Sequence, residues 1–259
     1  NQYDVIIFES IFTTIYREQL TISPSTKIIF RAHNVEHKIW QDLAKQNLNK
    51  RIIYLLLAKQ IRKLEQSTPK KVNYILTLSS LDEKYFKKHF PEKTFNLPVF
   101  FNASNNINKK IPKSIVHLGA MDWKPNIDGI DWFMSQVVPQ IKKNVKIYIA
   151  GKNMPQRYLN YNTDNITVNG KVDDAIKYIQ DKSIMFVPLF SGSGIRIKIL
   201  EGMSLGIPII STSKGAQGIP YKNKENILIA DNTEDFVKAI YLLINNDDLA
   251  KKIGKNGRK

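Results

Sequence analysis

Cysteine is absent from the chain, which excludes disulfides, thiolate metal sites and cysteine nucleophiles. Long apolar runs are missing as well. The densest, residues 52–58 (IIYLLLA), falls far short of the roughly 20 residues a membrane-spanning helix needs. There is no Asp-x-Asp motif to hold a divalent ion and no His-Glu-x-x-His pattern to hold zinc with His33 and His37. The first residue, Asn1, is not an initiator methionine, and no signal-peptide pattern follows it. These absences predict a soluble, cytoplasmic protein with no metal. Acidic residues are scarce: 23 Asp and Glu against 39 Lys and Arg leave a net charge of +16, spread along the chain. A compositional drift toward Lys, Asn and Ile accounts for this as well as attraction to anionic lipid or polyphosphate ligands does. Nucleic acid is not an expected partner, because no zinc finger, recognition helix or aromatic-basic strand motif is present.

What is present is alternation. Short apolar runs at 3–8, 27–30, 74–78 and 96–100 read as strands, and helical stretches separate most of them. The longest such stretch, 39–66, should break near 47–50. Residues 102–113 (NASNNINKKIPK) are polar and punctuated, as a linker would be. Beyond them, strands are predicted at 114–118, 145–150, 166–169, 184–190, 208–212 and 226–229. Helices are predicted between or after them at 127–142, 173–180, 195–205, 233–245 and 247–254. Strands alternating with helices imply parallel sheets covered on both faces. The predicted fold class is therefore α/β, with two doubly wound Rossmann-like domains over 1–103 and 104–259. The first domain, with four strands and no opening glycine turn, reads as incomplete, and the chain as a fragment trimmed at both ends.

Residues 191–201 (SGSGIRIKILE) carry the sharpest chemical signal. A glycine-serine loop leads from a buried strand into a helix whose first turn would hold Arg196 and Lys198, where the macrodipole disfavours cations. An anion held there by free backbone N–H groups and both side chains resolves the conflict. This predicts a diphosphate cradle. The bland alternative is a solvated surface pair between Lys198 and Glu201, but Glu201 is embedded among Ile199, Leu200, Met203 and Leu205.

The segments RAHNVEH (31–37), Leu78-Ser79 with Asp82, GAMDWKPN (119–126), 192–201 with Gly206-Ile207-Pro208, and 215–218 occur in an order that resembles the retaining group-1 glycosyltransferases of GT-B fold. Those enzymes include bacterial mannosyl- and glucosyltransferases. The resemblance covers nearly the whole chain and implies an acceptor-side first domain and a second domain that binds a nucleoside diphosphate-sugar. It implies that Arg196 and Lys198 neutralise the leaving phosphates, with backbone donors at Ser193, Gly194 and Ile195. Glu201 matches the second glutamate of the family's Glu–seven residues–Glu motif and would hold the ribose hydroxyls. Ser193 stands where the first glutamate belongs, a departure that bears on how the donor sugar is read. Gly170, Lys171 and Val172 fall where the backbone meets the base, and Gly119 gives close backbone approach to the donor. His33 would line the acceptor-facing wall, as general acid or base or as an orienting group, whereas His37 reads more as a capping or packing residue. Asp122 and Lys124 read either as donor contacts or as part of a helix start with Asn126 as N-cap, and Trp123, Trp132 and Phe133 as core.

The implied activity is sugar transfer with retention to a glycan or lipid-linked acceptor, without cofactor or metal, in the cytoplasm or peripherally at the inner face of the membrane. The chain alone is expected to bind donor but to transfer poorly. A nucleotide-sugar epimerase and a nucleotide-sugar-binding protein without transfer activity remain as alternatives.

Overall fold

The computed structural model describes residues 3–46, 48–101, 110–192 and 194–259. It divides into two compact units, Asn1–Phe100 with Gly192–Ile195, and Phe101–Ser191 with Arg196–Lys259. The expected boundary at residue 103 lies outside the described residues.

In the first unit, β1 (Val5–Glu9), β2 (Lys27–Ala32), β3 (Tyr74–Thr77) and β4 (Thr94–Asn96) form a parallel sheet in chain order. Side chains alternate along β2, with Ile28, Phe30 and Ala32 buried, so one face builds the core with Phe8, Val35, Ile75 and Phe86. Helices α1 (Glu36–Gln46) and α2 (Arg51–Ser67) follow β2, and the predicted break falls between them, where Leu48–Lys50 forms a 3-10 turn. Helix α3 (Ser80–Lys87) starts at a side-chain cap: the Ser79 hydroxyl accepts from the Asp82 N–H and donates to its carboxylate. The strand expected at 96–100 ends instead at Asn96. Leu97 still donates to the Thr77 carbonyl, but Pro98 has no N–H to continue the ladder.

The second unit holds β5 (Ile111–Leu118), α4 (Lys124–Trp132), β6 (Lys146–Ala150), α5 (Gln156–Leu159), β7 (Ile166–Asn169), α6 (Ala175–Gln180), β8 (Lys182–Val187), α7 (Ile197–Ser204), β9 (Ile209–Ser211), β10 (Leu228–Ile229), α8 (Thr233–Ile244) and α9 (Asp247–Gly257). Its sheet order is β10-β9-β8-β5-β6-β7, with every pairing parallel. The chain starts at β5, winds outward through β6 and β7, then returns to the other side of β5 and winds outward again. The reversal lies between β5 and β8, and ligands of such sheets bind at the carboxyl ends of the strands beside the reversal.

The core beneath this sheet stacks Phe133 on Phe186 at 4.1 Å, with Phe236 edge-on to both. Phe133 thus packs as expected, whereas Trp123 does not; it is exposed. The helix expected at 127–142 begins earlier, at Lys124 with Trp123 as N-cap and Pro125 in the first turn, where its missing N–H costs nothing. It continues as a π-helical segment, Phe133–Val137, and a 3-10 turn, Val138–Gln140. Helix α7 stops in a Schellman arrangement, with Gly206 N–H bonded to the Met203 carbonyl and Ile207 N–H to that of Gly202. Among the described residues, no helix is long and apolar enough to cross a membrane.

Candidate functional site

The loop after β8 and the loop after β5 deliver their side chains to one place, the carboxyl ends of the two strands at the reversal. Helix α7 begins two residues later than the sequence suggests, at Ile197. Arg196 is its N-cap, with φ −84° and ψ 89°, and Lys198 lies in the first turn. Both cations therefore stand at the positive end of the helix, as expected, but Arg196 acts from the cap and not from within the helix. The loop before it turns through Gly194 at φ 79°, a left-handed conformation that glycine adopts without strain. Ile195 is half-buried, and Ser193 lies outside the described residues.

Arg196 is 6% exposed. Its guanidinium lies 4.9 Å from the centre of the Trp123 ring, and Nη2 donates to the Ser191 carbonyl at 3.4 Å. Burial pulls its pKa down to about 10. The Lys198 ammonium donates to Asn126 Oδ1 at 2.9 Å. Burial, and then the charge of Arg196, pull its pKa down to about 7. The surface pair with Glu201 does not form.

Asn126 is the residue the sequence reading misplaced. It caps nothing; it is 2% exposed, and its Nδ2 donates to the Ala120 carbonyl at 2.8 Å, which turns Oδ1 toward Lys198. His117 was missed altogether. Fully buried at the end of β5, its Nδ1 lies 3.1 Å from the Phe186 carbonyl. A carbonyl only accepts, so Nδ1 carries the hydrogen and Nε2 is an acceptor, buried without a protein partner. Burial, then the Lys198 charge, hold this ring well below the usual histidine pKa against the bond to Phe186, so it is neutral. The signal in the sequence was a polar residue inside an otherwise apolar strand, Ile115 to Leu118.

Gly119 sits where these groups converge. A Cβ there would lie 2.5 Å from Lys198 Nζ, 2.8 Å from Asn126 Nδ2 and 3.0 Å from His117 Nε2. The missing side chain is what lets three polar atoms approach the strand end.

The remaining predicted residues divide. Glu201, on α7, is half-buried, and its carboxylate has no hydrogen-bond or ion-pair partner among the described residues; burial raises its pKa. Gly170 follows β7, and a Cβ there would meet nothing within 4 Å, so the space above it is open, with Lys171 exposed and Val172 half-buried beside it. Lys124 is not brought to the cluster. Its ammonium pairs with Asp128 at 2.7 Å, an exposed pair one helical turn apart. Asp122 accepts from Asn153 at 2.7 Å.

His33 belongs to a separate cluster in the first unit, at the carboxyl ends of β1 and β2. Its Nε2 lies 2.7 Å from Glu9 Oε2, and Arg31 bonds Glu9 Oε1 at 3.1 Å. Burial works to raise the Glu9 pKa, but the bonds from His33 and Arg31 outweigh it and hold the carboxyl below its usual range. Glu9 was not anticipated. His37 is structural: 4% exposed, with Nδ1 2.5 Å from Glu65 Oε2, while its N–H donates to Oε1 at 3.2 Å. Among the described residues, no three His, Asp or Glu side chains group as a metal-ligand set.

The model of the family "Glycosyl transferases group 1" matches residues 112–246, which include Gly119, Asn126, Arg196, Lys198 and Glu201. An uncharacterized Klebsiella pneumoniae protein of the cps region is 23% identical over 271 aligned residues, covering 98% of this chain and 69% of that protein. An uncharacterized glycosyltransferase of Methanocaldococcus jannaschii is 26% identical over 190 residues, 68% of this chain and 52% of its own. Among solved structures, a mutant of S. aureus TarM in complex with fondaparinux, alpha-GlcNAc-glycerol and UDP superposes with a TM-score of 0.75 at 18% identity, over 98% of this chain and 51% of TarM. Anabaena HepE in complex with UDP-glucose gives a TM-score of 0.70 at 13% identity, over 99% of this chain and 73% of HepE. The chain thus spans about half the length of TarM. The fold is that of the GT-B glycosyltransferases, with two parallel-sheet Rossmann-like regions. On the family match, which takes in more than half of its residues, the chain belongs to the group 1 glycosyltransferases.

Proposed function

We propose that this chain carries the donor site of an enzyme that moves a sugar from a nucleoside diphosphate-sugar to a glycan or lipid-linked acceptor, with retention at the anomeric carbon. One observation carries the reading: the buried Lys198 ammonium, beside Arg196 at the start of α7, is met by a neutral amide and not by a carboxylate. Two like charges crowded at the positive end of a helix form a site complementary to a diphosphate. TarM and HepE were solved with UDP or UDP-glucose, so uridine donors are the first to test. The cps-region relative favours a polysaccharide acceptor.

In the proposed reaction the bond from the sugar's C1 to the diphosphate oxygen breaks as the acceptor hydroxyl bonds to C1 on the same face. The acceptor proton passes to the departing diphosphate. Arg196, Lys198 and the α7 N–H groups stabilise the charge that grows on that oxygen. Glu201 accepts from the ribose hydroxyls, the open strand end at Gly170, Lys171 and Val172 receives the base, and His33, fixed by Glu9, orients an acceptor hydroxyl. Activity is expected to proceed without a divalent metal, since the two cations already supply the electrostatic stabilisation. Titration calorimetry tests the core of this. Arg196→Ala and Lys198→Ala should each weaken UDP binding far more than uridine binding, and equal losses would reject the diphosphate cradle. The anomeric configuration of product, and transfer measured with and without EDTA, test retention and metal independence.

A further inference from the structure

Five large aliphatic side chains crowd the start of α2 and face outward. Leu48, Ile52, Ile53, Leu55 and Leu56 expose 75, 75, 58, 44 and 57% of their surface. They are not a face awaiting the rest of the hairpin, because α2 already turns Ala58, Ile61 and Glu65 inward, and Tyr54 packs against Trp40 of α1 at 5.9 Å. At about 100° per residue, Ile52, Leu56, Lys59 and Lys63 fall in one line opposite that buried face. The line is aliphatic in its first turns and cationic in its last.

The charge on the tip and along α2 up to Lys63 has one sign. Residues 48–63 carry Lys50, Arg51, Lys59, Arg62 and Lys63, all exposed, and no acidic residue, while Lys45 before them is paired with Asp42 at 3.2 Å. Lys50 and Arg51 moreover stand at the positive end of α2, which has no side-chain cap and no acid in its first turn. Lysine is depleted where proteins meet proteins. An aliphatic tip collared by lysine and arginine suits anionic headgroups over an acyl layer instead. The axial distance from Ile52 to Lys59 is about 10 Å, the depth over which interfacial helices bury their apolar side.

We propose that this end of the α1–α2 hairpin docks on an anionic lipid bilayer, its aliphatic side chains entering the headgroup–acyl boundary while Lys59, Arg62 and Lys63 stay among the phosphates. The inference deepens the reading of a lipid-linked acceptor, and it stands apart from the donor site, so vesicle binding and diphosphate binding succeed or fail separately.

Co-sedimentation of the full chain with vesicles tests it, using phosphatidylcholine alone and an equal mixture of phosphatidylcholine and phosphatidylglycerol. Binding to the mixed vesicles is expected, weakening as salt rises. Ile52→Asn with Leu56→Asn should lower the partition coefficient about tenfold or more, as burial of the aliphatic tip is lost. Lys59→Glu with Lys63→Glu should lower it at least as far, each lost charge near the surface being worth roughly fivefold. Both pairs are exposed and should leave the melting temperature and UDP affinity unchanged. If the aliphatic pair fails to fold, the charge-reversed pair still decides. Equal partitioning of variants and wild type, or binding to both vesicle types without salt dependence, overturns the proposal. So does self-association without lipid that the aliphatic pair abolishes, which would make a second copy the occupant.

Discussion

Lys198 and Asn126 lie 72 residues apart in sequence and meet at 2.9 Å, the amine donating to an amide oxygen whose own NH2 is committed to Ala120. That second bond fixes which end of the amide the lysine sees. Asn126 therefore aims the ammonium without neutralising it. Hydrogen bonds to charged groups contribute about 1.5–3 kcal/mol. Asn126→Ala should accordingly weaken UDP binding about tenfold or more while leaving uridine binding unchanged, as read by calorimetry. Equal weakening of both ligands would make Asn126 a scaffold residue.

Donor affinity should depend on pH through Lys198. Its pKa is lowered from 10.5 to about 7, so the empty site loses its ammonium as pH rises through that value. A bound diphosphate restores the proton, so binding takes one up above neutrality. Affinity for UDP-glucose, whose esterified phosphates do not titrate in this range, should fall by up to about tenfold per unit above pH 7. The folded chain binds fewer protons here than the unfolded chain between pH 7 and 10.5, so this group's contribution to stability rises with pH across that window. Lys198→Arg should flatten the affinity profile. A flat profile in the unsubstituted protein would contradict the assignment.

Gly119→Ala tests the convergence at the end of β5. The new methyl would intrude to 2.5 Å from Lys198 Nζ, the mobile end of a long side chain, so the lysine should yield before the backbone does. The expected outcome is a cooperative melt within a few degrees of wild type and diphosphate binding reduced about tenfold or more, as for loss of a charge-assisted contact. Unchanged binding would show that Lys198 reaches its ligand from elsewhere.

Glu201→Gln should keep the fold and reduce affinity for uridine nucleotides more than for their 2′- or 3′-deoxy analogues. The motive is a carboxylate with no protein partner among the described residues, on the helix that starts at Arg196 and Lys198, whose chemistry is to accept from hydroxyls. Loss of the cooperative melt would instead make it a structural residue.

Glu65→Ala addresses stability and not chemistry. Glu65 is 1% exposed, and its carboxylate takes both the ring and the backbone N–H of His37. Removing one member of a buried pair costs about 3 kcal/mol or more. Chemical denaturation should show that loss, with UDP affinity unchanged.

The sequence by itself determined what is written in local pattern. The strand–helix alternation, the break between α1 and α2, the stop at Gly206 and the cations entering α7 all depend on residues a few positions apart, where backbone geometry and helix dipole act directly. His33 and Glu201 were legible as polar residue types beside a predicted strand and inside a predicted helix. Tertiary structure decided what those residues touch. Asn126 reads as a helix cap from its neighbours, but only the crossover from β7 back to β8, beside β5, brings Lys198 to it. Lys124 acquires Asp128 from the next turn of its own helix. His37 acquires Glu65, His33 acquires Glu9, and His117 acquires its neutral tautomer from Phe186, each across strands or helices distant in the chain. Periodicity specifies which face is buried; it does not specify which buried polar atoms meet, because that depends on strand order and register.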